Sequence, residues 1–192
     1  MRFYTKRKLA FTTQELQKPV QILRKLVARH SDAAVWGIWH GIFGLASNEL
    51  ILVTTHLGEQ DGLVLPESIN VIEVRQLRAT ARPTDYTPLS QPGIYVFRDF
   101  VLDAKDIDEV VALSSAAWQT FEKGESYLAQ PMGLFAPLTP STNCVMHLLT
   151  WYPHFASWQK SRESGPEALK RFAARRALTY STNAVATRLD LS

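Results

Sequence analysis

The sequence has few of the features that would place it outside the ordinary globular class. It contains one cysteine, Cys144, in 192 residues, so an internal disulfide framework of the secreted type is excluded. No run approaches the ~18 apolar residues of a membrane span, and the N-terminal stretch lacks the apolar centre of a signal peptide. We therefore expect a cytoplasmic protein in a reducing compartment, without a membrane span.

Motifs for cofactors, metals and nucleophiles are missing as well. The chain has no GxGxxG, P-loop, CxxC, H-x-x-x-H or G-x-S-x-G pattern, so no cofactor and no metal are predicted. Haem needs only one accessible ligand, and a haem-binding barrel with His147 or His40 as that ligand stays open as an alternative. Cys144 follows a turn asparagine and is interpreted as a small buried residue.

Charge and hydrophobicity are both ordinary. Hydrophobic residues make up 46% of the chain and charged residues 20%, with a formal net charge of +3. This composition supports a large core and excludes a disordered chain. No run of basic residues alternates with aromatic ones, so nucleic-acid binding is not predicted.

Hydrophobic periodicity predicts the same order of elements twice. Strands are predicted at 3–11, 35–45, 49–56 and 71–79, and again at 94–102, 129–136, 144–152 and 184–189. Each opening strand is followed by a helix. A capping box of Thr12 and Glu15 begins the first helix, which Pro19 either kinks or starts, and Asp103 caps the second. The second half adds a short helix at 153–161 and a basic helix from Pro166.

Three short matches in fixed order indicate an internal repeat. Tyr4-x-x-Arg7 recurs as Tyr95-x-x-Arg98, and the segments starting at Gly41 and Asn48 recur at Gly133 and Asn143. We predict an α+β fold of two ferredoxin-like repeats, each βαββ plus a closing strand. Residues 1–81 and 93–192 form the repeats and residues 82–92 a proline-rich linker. Two such sheets can bury their open faces against each other as an intramolecular dimeric α+β barrel.

The second half resembles the NIPSNAP family. The resemblance lies in three segments: Tyr95–Phe100, the Gly133 to Leu148 hairpin, and Trp158–Arg162. Leu149 replaces the family's tryptophan there, and the first half has Leu9 and Leu52 where an aromatic residue and a histidine should stand. The resemblance implies a dimeric α+β barrel, a group that includes cofactor-independent monooxygenases and haem proteins, without fixing a reaction.

Polar side chains on otherwise apolar strands are the candidates for a ligand site. Arg98 is either part of a structural ion pair or an anchor for an anion, and His147 is either a core histidine or a general base. The candidate cavity residues are Tyr95, Arg98, His147, Trp151, Tyr4, Arg7 and His40.

Two classes of function remain open. The first is a barrel with a small-molecule cavity between the sheets, taking a small hydrophobic or anionic ligand for binding or for cofactor-independent oxygenase- or isomerase-type catalysis. The second is a non-catalytic interaction or assembly protein, although the basic run from Lys170 to Arg176 is best interpreted as a solvated helix face. A closed monomer and a homodimer are both compatible with the repeat.

The repeat makes sharp positional predictions. Tyr4 and Tyr95 should occupy equivalent positions, as should Arg7 and Arg98. The alignment further places Lys8 opposite Asp99, with an ion pair between them if the axis brings them together. It also makes His56 the counterpart of Trp151.

Overall fold

The computed structural model describes residues 3–123, 127–163 and 165–192. Over these ranges the chain forms eight strands and four α-helices, in the order predicted from the sequence. They are β1 Phe3–Ala10, α1 Gln17–Val27, β2 Ala33–Phe43, β3 Glu49–His56, β4 Asn70–Arg82, β5 Ile94–Asp103, α2 Ile107–Phe121, β6 Gln130–Pro137, β7 Asn143–Tyr152, α3 Phe155–Lys160, α4 Pro166–Ala177 and β8 Thr179–Leu189.

The strands close into one antiparallel barrel. Their order around it is β1-β3-β2-β8-β5-β7-β6-β4. Each half contributes four adjacent strands, and the seams β2–β8 and β4–β6 join the halves. Since both sheet edges are paired at the seams, the barrel leaves no open edge. The predicted α+β barrel is confirmed.

A pseudo-two-fold relationship connects the halves. β1 lies between β3 and β4, and β5 lies between β7 and β8. Arg7 pairs with Leu52 on β3, while Arg98 pairs with Leu148 at the matching place on β7. Tyr4 and Tyr95 likewise occupy matching places, since each is the second residue of its strand and pairs with the corresponding residue of β3 or β7. The predicted equivalence of both pairs is confirmed.

The register corrects three details of the predicted alignment. Phe3 pairs with His56 and Ile94 pairs with Tyr152, so the counterpart of His56 is Tyr152. The predictions that His56 matches Trp151 and that Asn48 matches Asn143 were therefore both wrong by one residue.

The glycine match was misplaced in the same way. Gly37 follows a register shift on β2, and Gly133 follows a register shift on β6. Gly37 pairs with Val53 of β3 and Gly133 pairs with Leu149 of β7, which are equivalent positions. Gly133 is therefore the counterpart of Gly37, four residues before the predicted Gly41.

The helix starts differ from the predicted caps. α1 begins at Gln17 after Leu16, without a side-chain cap, and the Thr13 hydroxyl, not Thr12, accepts from the Glu15 amide. Pro19 lies in the first turn of α1, where a backbone N–H would have no carbonyl acceptor within the helix, so proline is tolerated there. Asp103 precedes a 3₁₀ turn, Ala104–Asp106, and makes no capping bond. Pro166 begins α4 as predicted.

Alternate residues along each strand separate an inner from an outer face. On β5, Tyr95 and Phe97 point into the barrel, whereas Ile94, Val96 and Phe100 lie beneath the helices. No helix within the described ranges is both long and apolar enough to cross a membrane. β4 continues through Arg82, so the segment connecting the halves starts at Pro83.

Candidate functional site

The structure divides the predicted site residues between the inner and outer faces of the barrel wall. Tyr95 and Arg98 are three residues apart on one strand, so their side chains point to opposite faces. Tyr4, Tyr95, His147 and Trp151 face the barrel interior. Arg7 and Arg98 lie on the outer face and His40 on β2 near the C-terminus.

Aromatic rings fill the barrel interior where the sequence predicted a cavity. Trp39 contacts Tyr95 and Phe97 edge-on, with ring centroids 6.0 and 5.0 Å apart. The Tyr95 hydroxyl donates to the Gln91 carbonyl, and burial raises its pKa. Trp151 Nε1 donates to the Pro92 carbonyl. These contacts are those of a packed core, and the cavity between the sheets stays a prediction that the described contacts do not support.

One ionic cluster crosses this interior. Lys6 Nζ of β1 lies 3.4 Å from Asp99 Oδ1 of β5, and His147 Nδ1 lies 2.6 Å from the same oxygen. Lys8 pairs instead with Glu49, at 2.9 Å. The predicted pair of Lys8 and Asp99 was therefore wrong by two residues, because Lys6 is the lysine that points across the barrel.

His147 is a core histidine with one free ring nitrogen. Burial lowers its pKa, and the hydrogen bond to Asp99 only partly opposes this effect. The carboxylate of Asp99 fits a tautomer with the proton on Nδ1, which leaves Nε2 as an acceptor. Nε2 is buried and has no hydrogen-bond partner among the described residues.

Arg7 forms a closed ion pair on the outer face of the first sheet. Its guanidinium binds both oxygens of Asp61, at 2.5 and 2.7 Å, and the Thr54 hydroxyl donates to the same carboxylate at 2.6 Å. Burial alone would raise the pKa of Asp61. The hydrogen bonds from Arg7 and Thr54 outweigh it and lower the pKa to about 2. Arg7 thus has a structural role.

Arg98 instead faces a cavity of about 640 Å³. The cavity lies between the outer face of the second sheet and helices α2 and α4. We call it the arginine pocket. Its lining consists of Arg98, Phe100, Trp118, Phe121, Pro131, Leu148, Thr150, Tyr152, Ser161, Arg162, Leu169, Phe172, Ala173, Arg175, Arg176, Thr179 and Thr182.

The charges of this pocket are all of one sign. Four arginines line it, and none of the described lining residues is acidic. Burial lowers the pKa of Arg98, and the charges of Arg162 and Arg176 lower it further. Burial and the neighbouring arginines lower the pKa of Arg175 to about 10.

The two inner arginines differ in their contacts. Arg98 makes no hydrogen bond or ion pair with any described residue. Arg175 donates to the Ser114 hydroxyl at 3.1 Å, and its guanidinium lies over the rings of Phe100 and Phe172, at 4.6 and 5.1 Å. Arg175 is therefore fixed in place, whereas Arg98 is available to a ligand.

The basic helix is consequently more than a solvated face, and that interpretation was wrong for part of α4. Arg175 is 7% exposed, Arg176 lines the pocket, and Arg171 donates to the Ala116 carbonyl at 2.6 Å. Sequence reasoning missed these pocket residues. The available signal was the spacing of Leu169, Phe172 and Arg176 on one stripe of the helix.

His40 belongs to a separate structural contact. Its Nε2 lies 2.9 Å from Asp190 Oδ2, and Arg24 bonds the other oxygen of that carboxylate at 3.0 Å. Burial would raise the pKa of Asp190, but these bonds and those from Ser192 lower it to about 2. The cluster ties the C-terminus to β2 and α1, away from the arginine pocket.

The donor set of the pocket bears on the haem alternative. Histidine, cysteine, methionine and tyrosine are protein ligands of haem iron, and of these residue types the described pocket lining holds only Tyr152. His147 is inside the barrel and His40 is bound to Asp190. The pocket therefore does not fit a haem held by histidine, cysteine or methionine.

Comparison with known proteins bears on the fold. No protein-family model and no curated protein matches the chain. Solved structures do match. An anthrone oxidase-like protein superposes with a TM-score of 0.68 at 11% identity, covering 98% of this chain and 91% of that one. The chain has the dimeric α+β barrel fold.

Two further solved structures agree. The R173A variant of chlorite dismutase from Candidatus Nitrospira defluvii gives a TM-score of 0.62 at 9% identity, covering 98% of this chain and 91% of that one. A ferredoxin-fold protein from Listeria monocytogenes related to antibiotic biosynthesis monooxygenases gives a TM-score of 0.56 at 10% identity. The match covers 99% of this chain and 96% of that one. Identities this low establish the fold alone.

Proposed function

We propose that the chain binds a small organic anion in the arginine pocket. The observation that carries this proposal is the set of four arginines around one cavity, without an acidic side chain among the described lining residues. Removing a charge from water without a partner is unfavourable. An anionic ligand would supply the missing opposite charge.

The walls of the pocket favour an organic ligand over an inorganic ion. Trp118, Phe121 and Phe172 line it together with Leu148 and Leu169. A volume of about 640 Å³ lies in the range of ligand cavities, roughly 300–1,000 Å³. An amphipathic anion would place its apolar body against the rings and its charge against the arginines.

Oxygenase-type chemistry is the second candidate function. Solved structures with this fold include proteins named anthrone oxidase-like and related to monooxygenases. The cationic lining would stabilise the deprotonated form of a bound substrate, which favours reactions that pass through a carbanion or phenolate. The described lining holds no histidine or carboxylate as a base, so binding without catalysis is the primary proposal.

Membership of the NIPSNAP family stays a prediction. The residues that carry the resemblance lie on β5, β6 and β7 and around α3. Arg98 and Arg162 belong both to that resemblance and to the pocket. The homodimer and the assembly role also stay predictions, and the inward direction of Arg175 supports ligand binding over a surface role for α4.

Native mass spectrometry of the protein purified from its source tests the proposal. We expect a bound mass of a few hundred daltons that is released on denaturation. Leu148 lines the cavity without carrying charge and is only 4% exposed, so Leu148→Trp serves as the variant that fills it. Retention of the same mass by a folded Leu148→Trp variant would place the ligand elsewhere and contradict the proposal. For the second candidate, oxygen uptake is measured on adding the released compound to ligand-free protein.

A further inference from the structure

The first half of the barrel contains an arginine–threonine pair equivalent to one that lines the arginine pocket. Arg7 and Arg98 are equivalent by register, and so are Thr54 and Thr150: Thr54 pairs with Thr5 and Thr150 with Val96 on the matching strands. Both arginine–threonine pairs lie on the outer faces of their sheets. The repeat therefore presents the same two donors twice.

The two copies differ in what these donors bind. In the first half, Asp61 from the segment between β3 and β4 binds Arg7 with both oxygens and accepts from Thr54. In the second half, the segment between β7 and β8 contains α3 and α4, and the described lining holds no acidic residue. Thr150, like Arg98, makes no hydrogen bond to a described side chain.

We infer that the ligand of the arginine pocket is a carboxylic acid whose carboxylate binds Arg98 and Thr150 as Asp61 binds Arg7 and Thr54. This inference rests on the proposed function and adds the chemical class of the ligand. A guanidinium matches the planar carboxylate with two parallel hydrogen bonds. The threonine hydroxyl supplies the third donor.

The other lining residues of the arginine pocket determine which groups the ligand carries beyond its carboxylate. Phe172 and Trp118 provide apolar walls, and Arg162 and Arg176 add positive charge beyond the first carboxylate. Arg175 already lies against two rings and Ser114. The pocket therefore fits an aromatic or branched apolar acid better than a short hydrophilic one.

Matched probe pairs test the carboxylate directly. Ligand-observed NMR and calorimetry are applied to a panel of aromatic acids and their alcohols, for example 2-naphthoate with 2-naphthalenemethanol, together with 2-naphthyl phosphate. Acids are expected to bind more tightly than their alcohols. Arg98→Gln should weaken acid binding by about 10–100-fold, and Thr150→Val by about 2–10-fold, with Thr150→Ser close to wild type. Alcohol binding should change little.

Controls separate this inference from the proposed function. Arg188→Gln removes one exposed charge outside the pocket and should leave the acid affinity unchanged. Equal binding of acids and alcohols, tighter binding of the phosphate, or unchanged acid binding in both Arg98→Gln and Thr150→Val would overturn the carboxylate assignment while leaving the pocket a binding site. If no member of the panel bound the wild-type protein, the proposed function itself would fall. Should Arg98→Gln not fold, the Thr150 variants decide.

Discussion

Lys6 and Asp99 form an ion pair across the inside of the barrel, with Lys6 Nζ 3.4 Å from Asp99 Oδ1. β1 and β5 lie on opposite sides of the closed strand order, so the pair joins the two repeats through the core rather than along a seam. The Lys6 side chain is only 6% exposed, whereas the Asp99 side chain is 27% exposed. Lys6 therefore depends on Asp99 for charge compensation more than Asp99 depends on Lys6.

This inequality predicts asymmetric mutational effects. Asp99→Asn leaves a buried ammonium without its counter-ion and should lower the free energy of unfolding by about 3 kcal/mol. Lys6→Met leaves a partly hydrated carboxylate and should cost less. Lys105→Met is the surface control, because the Lys105 side chain is 76% exposed, and it is expected to change stability by less than about 1 kcal/mol. Urea unfolding measures all three. Equal losses for the Asp99 and Lys6 variants would contradict the proposed dependence.

The equivalent arginines predict opposite outcomes for one substitution. Arg7→Met leaves the buried carboxylate of Asp61 without its counter-ion and should lower the free energy of unfolding by about 3–5 kcal/mol. Arg98→Met removes a cation that has no partner in the free protein, so the ligand-free protein should be unchanged or more stable. Thermal unfolding of ligand-free protein checks both. A large loss of stability in Arg98→Met would show that Arg98 already has a structural partner.

The pKa of Asp61 predicts an acid-dependent contribution to stability. Its folded pKa of about 2 lies below the ordinary 3.8, so the contribution, about 2 kcal/mol, is present above pH 4 and lost as the pH falls toward 2. The difference in unfolding free energy between wild type and Asp61→Asn should shrink over that window. A difference independent of pH between 2 and 7 would mean that the carboxylate charge contributes nothing.

Gly37 and Gly133 predict matched packing effects in the two halves. A Cβ on Gly37 would meet the ring of Trp39, and one on Gly133 the ring of Phe135. Either alanine substitution should cost about 1–3 kcal/mol, because a buried ring has to move. Gly165→Ala is the control, since nothing lies within 4 Å of its added Cβ. An effect in only one half would contradict the register that equates these glycines.

Sequence periodicity was sufficient for the architecture, and it could not locate the cavity. The strand and helix patterns and the Tyr-x-x-Arg match depend on local spacing, which the sequence displays directly. Whether Arg98 is paired depends instead on Asp61 having no counterpart in the second half, a fact that follows from loop packing. Likewise, the direction of Arg175 is decided by how α4 packs on α2, which a helical stripe alone does not specify.

Alignment by short identities also failed in a physically specific way. Gly41-Ile-Phe resembles Gly133-Leu-Phe in sequence, yet the strand irregularity that requires glycine is at Gly37. The ring two residues later, Trp39 or Phe135, folds back over that glycine. The two segments correspond in how a ring packs on a glycine. Among the residues involved, only the glycine is identical in both halves.

Covalent fusion of the two repeats frees them from having identical sites. In a barrel assembled from two copies of one chain, any change at one anion site is repeated at the other. Here Asp61 permanently occupies the position beside Arg7, while the position beside Arg98 remains open to solution. Each barrel should therefore saturate at one ligand, with a simple hyperbolic isotherm, and the first repeat can act as rigid support while the second changes its specificity.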